Sequence, residues 1–224
     1  MTTGRRRSRP GFTLIEILVV LAIIATLAAI VLPQLFKSGE TGEAAETRVR
    51  LDSLANAAKL YESRFGDYPP SRLKFLKIDA PNDTNEGSEA FVLAISTEKK
   101  RGPFTEWQED YLGNCDGDKL KKPPEKSAIK KADLFEAVDF WGNPFVYIHC
   151  RDYGKQFKYV DYDGDTVSVR AQKSKKLGTY HNANSYQMWS FGPNRRNENG
   201  SGDDIANFTI SEEEGEAEGD EGPP

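Results

Sequence analysis

Residues 11–32 read GFTLIEILVVLAIIATLAAIVL, and Pro33 follows. Phe12 to Leu32 carries one charge, Glu16; as a helix rising ~1.5 Å per residue it would cover about 32 Å, enough for a hydrocarbon core of ~30 Å. The segment is therefore expected to span a membrane. Arg5, Arg6, Arg7 and Arg9 stand just before it, and the positive-inside rule keeps such a cluster in the cytoplasm, with everything after Pro33 on the far side. A cleaved secretory signal shares the basic start, but its apolar core is shorter and ends in a small-x-small site. No such site follows at Leu32 to Phe36. Glu16 is the feature a plain anchor does not explain. A carboxylate in an apolar span costs roughly 2.5–3.5 kcal/mol, so Glu16 either snorkels toward the headgroups or has a partner.

Outside this stretch the chain is an ordinary polar one. It has 224 residues, a formal net charge of −5, 38% hydrophobic and 29% charged residues. Beyond the first ten residues there is no basic stripe of the kind that displaces counterions from nucleic acid, so that partner class is excluded. Two cysteines and two histidines exclude a disulfide scaffold and a multi-histidine metal site, which leaves oxygen ligands for any ion.

Gly11-Phe12-Thr13-Leu14-Ile15-Glu16, after a basic leader and ahead of an apolar helix, resembles the amino-terminal signal of the type IV pilin superfamily, which includes the type II secretion pseudopilins. The resemblance implies cleavage between Gly11 and Phe12 by a prepilin peptidase, N-methylation of Phe12 and retention of the helix. Loss of residues 1–11 removes four arginines and carries the formal charge from −5 to −9. The new α-amine on Phe12, with an unperturbed pKa near ~8, can be cationic and pair with Glu16 of a neighbouring subunit within the membrane. Glu16 is then an assembly group that sets register. In the family a proline near position 33 accompanies local melting of the helix, and Pro33 is expected to kink it, with Gly39 and Gly42 softening the turns beyond it.

From Glu43 a helical pattern resumes. Leu51, Leu54, Ala58, Tyr61 and Phe65 fall three and four apart, with Glu46, Arg48, Arg50, Asp52 and Lys59 on other faces. Gly66-Asp67-Tyr68-Pro69-Pro70 ends it with successive breakers, and Tyr61 to Pro69 is similar to the helix exit of major, G-like pseudopilins. Residues 71–136 are the least legible: Ala90–Ser96 suggests a short helix, Asn114–Asp118 a turn, and Lys119–Lys131 a solvated basic loop. Strands are expected at Phe145–Cys150, Gln156–Val160, Thr166–Val169 and Tyr186–Phe191, with a tight hairpin at Asp163-Gly164. Asp139-Phe140-Trp141-Gly142-Asn143-Pro144-Phe145 resembles the Asp-Pro-Trp-Gly-Asn-Pro-aromatic turn of the major pseudopilin, with Phe140 in place of Pro.

The expected fold is α+β: a long amino-terminal helix, transmembrane then amphipathic, packed on a small antiparallel sheet in a pilin-like roll. The division is a leader (1–11), a helix (12–65, with 12–32 in the membrane), a globular domain (66–210) and an acidic disordered tail (211–224).

Asp161-Tyr162-Asp163-Gly164-Asp165 reads as a hairpin turn, since Thr166 and Gln172 stand where an EF-hand wants Gly and Glu. The loop from Gly192-Pro193-Asn194 to Asp203-Asp204 offers oxygens to a calcium ion. It also resembles the carboxyl-terminal calcium loop of major pseudopilins, which places Asn194, Asp203 and Asp204 as ligands. A turn held by Asx hydrogen bonds without an ion is the alternative. An oxidising compartment allows a Cys115–Cys150 disulfide, and a buried free thiol at Cys150 is the other reading. His149 beside Cys150 is not expected to form a catalytic pair, because neighbouring strand residues face opposite sides.

What the resemblance implies is a structural subunit and not an enzyme, held single-pass in the inner membrane with its carboxyl-terminal domain in the periplasm. Its partners would be copies of itself, other pseudopilins, the prepilin peptidase and an inner-membrane assembly platform. A type IV pilin subunit for adhesion, motility or DNA uptake is the nearest alternative. A membrane-tethered periplasmic enzyme or binding protein is the alternative of another class, and it would need a convergent polar pocket.

Overall fold

The computed structural model describes residues 14–176 and 178–210, apart from the side chains of 28–41. The expected leader, the Gly11–Phe12 junction and the acidic tail lie outside the described residues. The chain divides into two units, Met1–Gly42 and Glu43–Pro224.

Helix α1 is assigned over Leu14–Phe65. In the first unit its described apolar side chains are exposed, Leu14 at 83% and Ile15 at 68%. Among the described residues no helix is long and apolar enough to cross a membrane; the expected span also includes Phe12, Thr13 and the side chains of 28–32, which lie outside them. Helical backbone is assigned without a break through Pro33, Gly39 and Gly42. Proline removes one hydrogen bond from such a ladder, and a helix can run through it with or without a bend.

In the second unit the stripe on α1 does what its spacing requires. Leu51, Leu54, Ala58 and Tyr61 are buried, and Phe65 stacks on Tyr61 with ring centroids 4.2 Å apart. One of the residues assigned to the outer faces is misplaced: Arg50 is only 5% exposed. Its guanidinium donates to the carbonyls of Asp110 at 3.0 Å and Asp139 at 3.3 Å and to Glu46 Oε1 at 2.6 Å, and it lies 4.1 Å from the centre of the Tyr111 ring. Pairing of every donor is what makes such burial tolerable, and helical periodicity carries no sign of those partners.

Helix α2 (Glu86–Ile95) starts four residues earlier than the sequence suggests, after Asn85 in the left-handed region at φ 53°. All ten of its residues are buried. The close fit depends on Gly87, where an added Cβ would lie 2.3 Å from the Tyr147 carbonyl oxygen and 2.4 Å from the Tyr159 hydroxyl.

The strands form three small antiparallel sheets among the described residues, not one. β1 (Leu112–Gly113) pairs with β2 (Glu136–Ala137). β3 (Val146–His149) and β4 (Gln156–Val160) follow, then β5 (Thr166–Arg170), β6 (Tyr186–Ser190) and β7 (Ile205–Ala206). β4 and β5 form a hairpin, and the third sheet runs β3-β6-β7, with Val146 opposite Trp189 and Trp189 opposite Ala206.

Alternation along β3 is as the sequence implies, but neither face meets solvent. Phe145 and Tyr147 pack with Leu54, Ala58 and Phe91, while Val146 and Ile148 pack with Phe157, Val169 and Trp189. The three-stranded sheet is thus the middle layer, with helices on one face and the β4–β5 hairpin on the other. Each large side chain buried this way contributes about 1.5–3 kcal/mol.

Candidate functional site

Glu16 lies in the first turn of α1 and is exposed. Its expected partner, the Phe12 amine, lies outside the described residues, as does the side chain of Pro33. What the structure does show is how the second unit holds its helix and its last loop.

The turn after β2 is built on Asp139. Its Oδ1 accepts from the backbone N–H groups of Trp141 and Asn143, each at 2.9 Å, and its Oδ2 accepts from Ser190 Oγ at 2.6 Å. Gly142 takes φ 86°, where a side chain is strained. Asn143 Oδ1 accepts from Tyr162 N at 2.9 Å. Trp141 Nε1 donates to Glu43 Oε2 at 3.0 Å, and Phe140 N donates to Thr47 Oγ1 at 3.2 Å. One turn therefore ties α1, β6 and the β4–β5 hairpin together. Phe140 meets the backbone demand through its N–H, which proline lacks. Burial raises the Asp139 carboxyl above its ordinary range, while hydrogen bonds from Ser190, Asn143 and Trp141 oppose the rise.

The loop between β6 and β7 folds on its own carboxylates. Asp204 Oδ2 accepts from Gly200 N at 2.7 Å and Glu198 N at 3.1 Å, whereas its Oδ1 is buried with no hydrogen-bond partner. Asp203 Oδ2 accepts from Asn194 N at 2.9 Å, and Asp203 N donates to Glu198 Oε2 at 3.1 Å. Carboxylate oxygens of Glu198, Asp203 and Asp204 lie within 4.8 Å of one another. Burial pushes Asp204 up to about 8.

Two of the three residues named from sequence, Asp203 and Asp204, are together here. Asn194 plays a different part: its amide nitrogen faces Glu198 Oε1 at 3.2 Å and Asp203 Oδ1, and its own oxygen accepts from Arg196 N at 2.6 Å. Glu198 is the carboxylate the sequence reading missed. Its one signal in the sequence is an acid four residues after Asn194 in a Gly-rich loop. Gly192 (φ 66°) lets the chain enter the loop, since a Cβ there would lie 2.3 Å from the Asp203 carbonyl oxygen.

Cys115 and Cys150 are both free thiols in this structure. Cys115 Sγ faces the Gly142 carbonyl at 3.9 Å, whereas Cys150 Sγ lies 3.7 Å from His149 Nδ1. The second contact corrects the argument from strand alternation. The chain leaves β geometry after His149 and enters a 3-10 turn, Cys150–Asp152, which swings the two side chains together. No nucleophile results. His149 Nδ1 accepts from Arg151 N at 3.1 Å and its Nε2 meets Asp67 Oδ1 at 3.0 Å, while burial and then the Asp67 charge raise the Cys150 thiol. The Asp161 segment is the expected hairpin: Asp161 Oδ1 accepts from Asp163 N and Asp165 N at 3.1 and 2.9 Å, with Gly164 at φ 88°.

Residues 6–32 match the prokaryotic N-terminal methylation motif. The chain is 28% identical over 144 residues to type II secretion system core protein G of Pseudomonas aeruginosa, an alignment covering 64% of this chain and 76% of that one. It is 32% identical over 113 residues to the protein of the same name from Escherichia coli, covering 46% and 69% of the two chains. With the Vibrio cholerae protein of that name it shares 28% over 125 residues, covering 51% and 77%. No solved structure matches.

Proposed function

The chain belongs to the family of type II secretion system core protein G, and we propose that after removal of residues 1–11 it is methylated on Phe12 and stacks through its amino-terminal helix. It is a structural subunit of the type II secretion pseudopilus and not an enzyme. The observation that carries the assembly reading is Glu16, an acid set in an otherwise apolar run within the methylation motif.

In this reading the chain waits in the inner membrane, single-pass, with residues after Pro33 in the periplasm. Cleavage exposes a cationic amine, and Glu16 of a copy already in the fibre accepts it. Two charges that are each costly in lipid then offset one another, so the favoured position of an incoming subunit is one axial step. The work of pushing proteins across the outer membrane comes from growth of the fibre. Partners are other copies, other pseudopilins, the prepilin peptidase and the inner-membrane assembly platform. The Asp139 turn fits this role, because it ties the domain to the helix that is pulled.

Calcium is a proposed ligand of the loop between β6 and β7. The fit rests on Asp204 Oδ1, a buried oxygen with no partner beside two further carboxylates. Asp203, Asp204 and Glu198 would hold the ion, which would supply charge neutralisation and loop rigidity.

Intact-mass and amino-terminal analysis of protein extracted from membranes tests the processing step. The expected chain begins with N-methyl-Phe12. A chain beginning at Met1, or one that has lost everything through about Leu35, contradicts the reading.

A further inference from the structure

The turn Asn114-Cys115-Asp116-Gly117-Asp118 follows β1 and lies against Glu89 of α2. Glu89 is 1% exposed, and its Oε1 is buried without a hydrogen-bond partner. Asp118 Oδ1 and Asn114 Oδ1 are in the same condition. Carboxylate oxygens of Glu89, Asp116 and Asp118 all lie within 4.8 Å of one another.

The donors nearby are engaged elsewhere on these groups. Asn82 Nδ2 holds Asp116 Oδ2 at 2.9 Å and Asp118 Oδ2 at 3.2 Å. Asn114 Nδ2 closes the turn on the Asp118 carbonyl at 2.9 Å, which leaves its oxygen to the interior. Lys119, the adjacent cation, pairs with Asp133 at 2.9 Å. Glu136 stands behind the turn and adds negative charge, with its own oxygens occupied by Asn85 Nδ2 and Cys115 N, both at 2.9 Å.

Asp116 Oδ1 accepts from Asp118 N at 3.3 Å, so the oxygens that are buried with no donor are Glu89 Oε1, Asp118 Oδ1 and Asn114 Oδ1. Three such atoms are strongly unfavourable unless a positive charge sits among them. The donor set is hard, with no sulfur in it, because the Cys115 thiol faces the Gly142 carbonyl. Its segments can adjust: Gly117 takes φ 75°, and Asp116 is half-exposed. Those properties suit calcium better than magnesium, which demands a tighter octahedron, or zinc.

We propose that Glu89, Asp116, Asp118 and Asn114 form a calcium site that pins α2 to the turn after β1. It is separate from the loop between β6 and β7 and does not rest on the pseudopilus reading. Without the ion, a proton shared between Glu89 and Asp118 is the substitute, in keeping with burial pushing Glu89 up to about 10 and Asp118 to about 6.

The test uses the full chain in detergent micelles, in an Asp204→Asn background that disables the carboxyl-terminal loop. Equilibrium dialysis against calcium counts ions per chain, and thermal melts are run with calcium and with a chelator. Glu89→Gln, a neutral isostere, and Asp116→Asn, on the half-exposed turn, should each lower the count by one ion or weaken that ion at least about tenfold. Glu89→Gln should also lose the calcium-dependent rise in melting temperature while melting no lower than its parent in chelator. The same count in parent and both variants overturns the proposal. So does a parent that melts identically with and without calcium, which is the result a shared proton gives.

Discussion

Ser190 Oγ donates to Asp139 Oδ2 at 2.6 Å, joining β6 to the turn that also takes up Glu43 and Thr47 of α1. Burial raises the Asp139 carboxyl above the ~3.9 of an unfolded aspartate. The folded state therefore binds this proton more tightly than the unfolded state. The stability it adds is fully present below the unfolded value and is lost as pH rises through the folded one. Relative to Asp139→Asn, which cannot titrate, the wild-type chain should lose stability as pH rises from 4 toward 7. Denaturant unfolding at several pH values checks this, and a wild-type chain that gains on the variant as pH rises contradicts it. Asp139→Ala, which strands two N–H groups, should cost about 3 kcal/mol.

Arg50 tests a different joint. Arg50→Ala leaves the Asp110, Val138 and Asp139 carbonyls short of a donor and should cost about 1–3 kcal/mol, the penalty for stranded acceptors, because the carboxylates it pairs with, Glu46 and Asp110, are exposed. Arg50→Lys keeps the charge but not the planar fork over Tyr111. It should recover less than half of the loss in the same unfolding measurement.

Gly87 should reverse the usual helix rule. Glycine to alanine inside a helix ordinarily gains up to ~1 kcal/mol, but here the new methyl meets the Tyr147 carbonyl, which is backbone and cannot turn away. Gly87→Ala should therefore destabilise by about 1–3 kcal/mol, seen as a lower melting temperature. A rise would show that α2 sits farther from β3 than described.

Glu16→Ala should leave removal of residues 1–11 largely intact, because the cleaved bond lies several residues earlier in the chain, yet sharply reduce fibre yield in membranes. Immunoblots of processed chain and of sheared fibre fractions separate the two effects. Undiminished fibre would remove Glu16 from its assigned role.

The parts of this chain legible in sequence are those whose signal is local. The stripe from Leu51 to Tyr61, the alternation in β3 and the hairpin at Asp163-Gly164 each depend on residues a few positions apart, and each lies where its spacing puts it. The start of α2 did not show because it turns on Asn85 adopting a left-handed conformation held by partners on β2 and β4: Asn85 Nδ2 reaches Glu136, and its Oδ1 accepts from Val160 N. Arg50 looked like a surface charge because the carbonyls that bury it lie 60 to 89 residues away. The same holds for the sites. Asp203 and Asp204 were visible as neighbours, whereas Glu198, and Glu89 with Asp116 and Asp118, are brought together only by the fold.

The most direct measurement is a cryo-EM map of the assembled fibre at a resolution that shows carboxylates near the axis. The account predicts the Glu16 carboxylate within hydrogen-bond reach of the methylated Phe12 amine of an adjacent subunit, repeated at every step. A map in which Glu16 faces solvent, or contacts only its own chain, contradicts it.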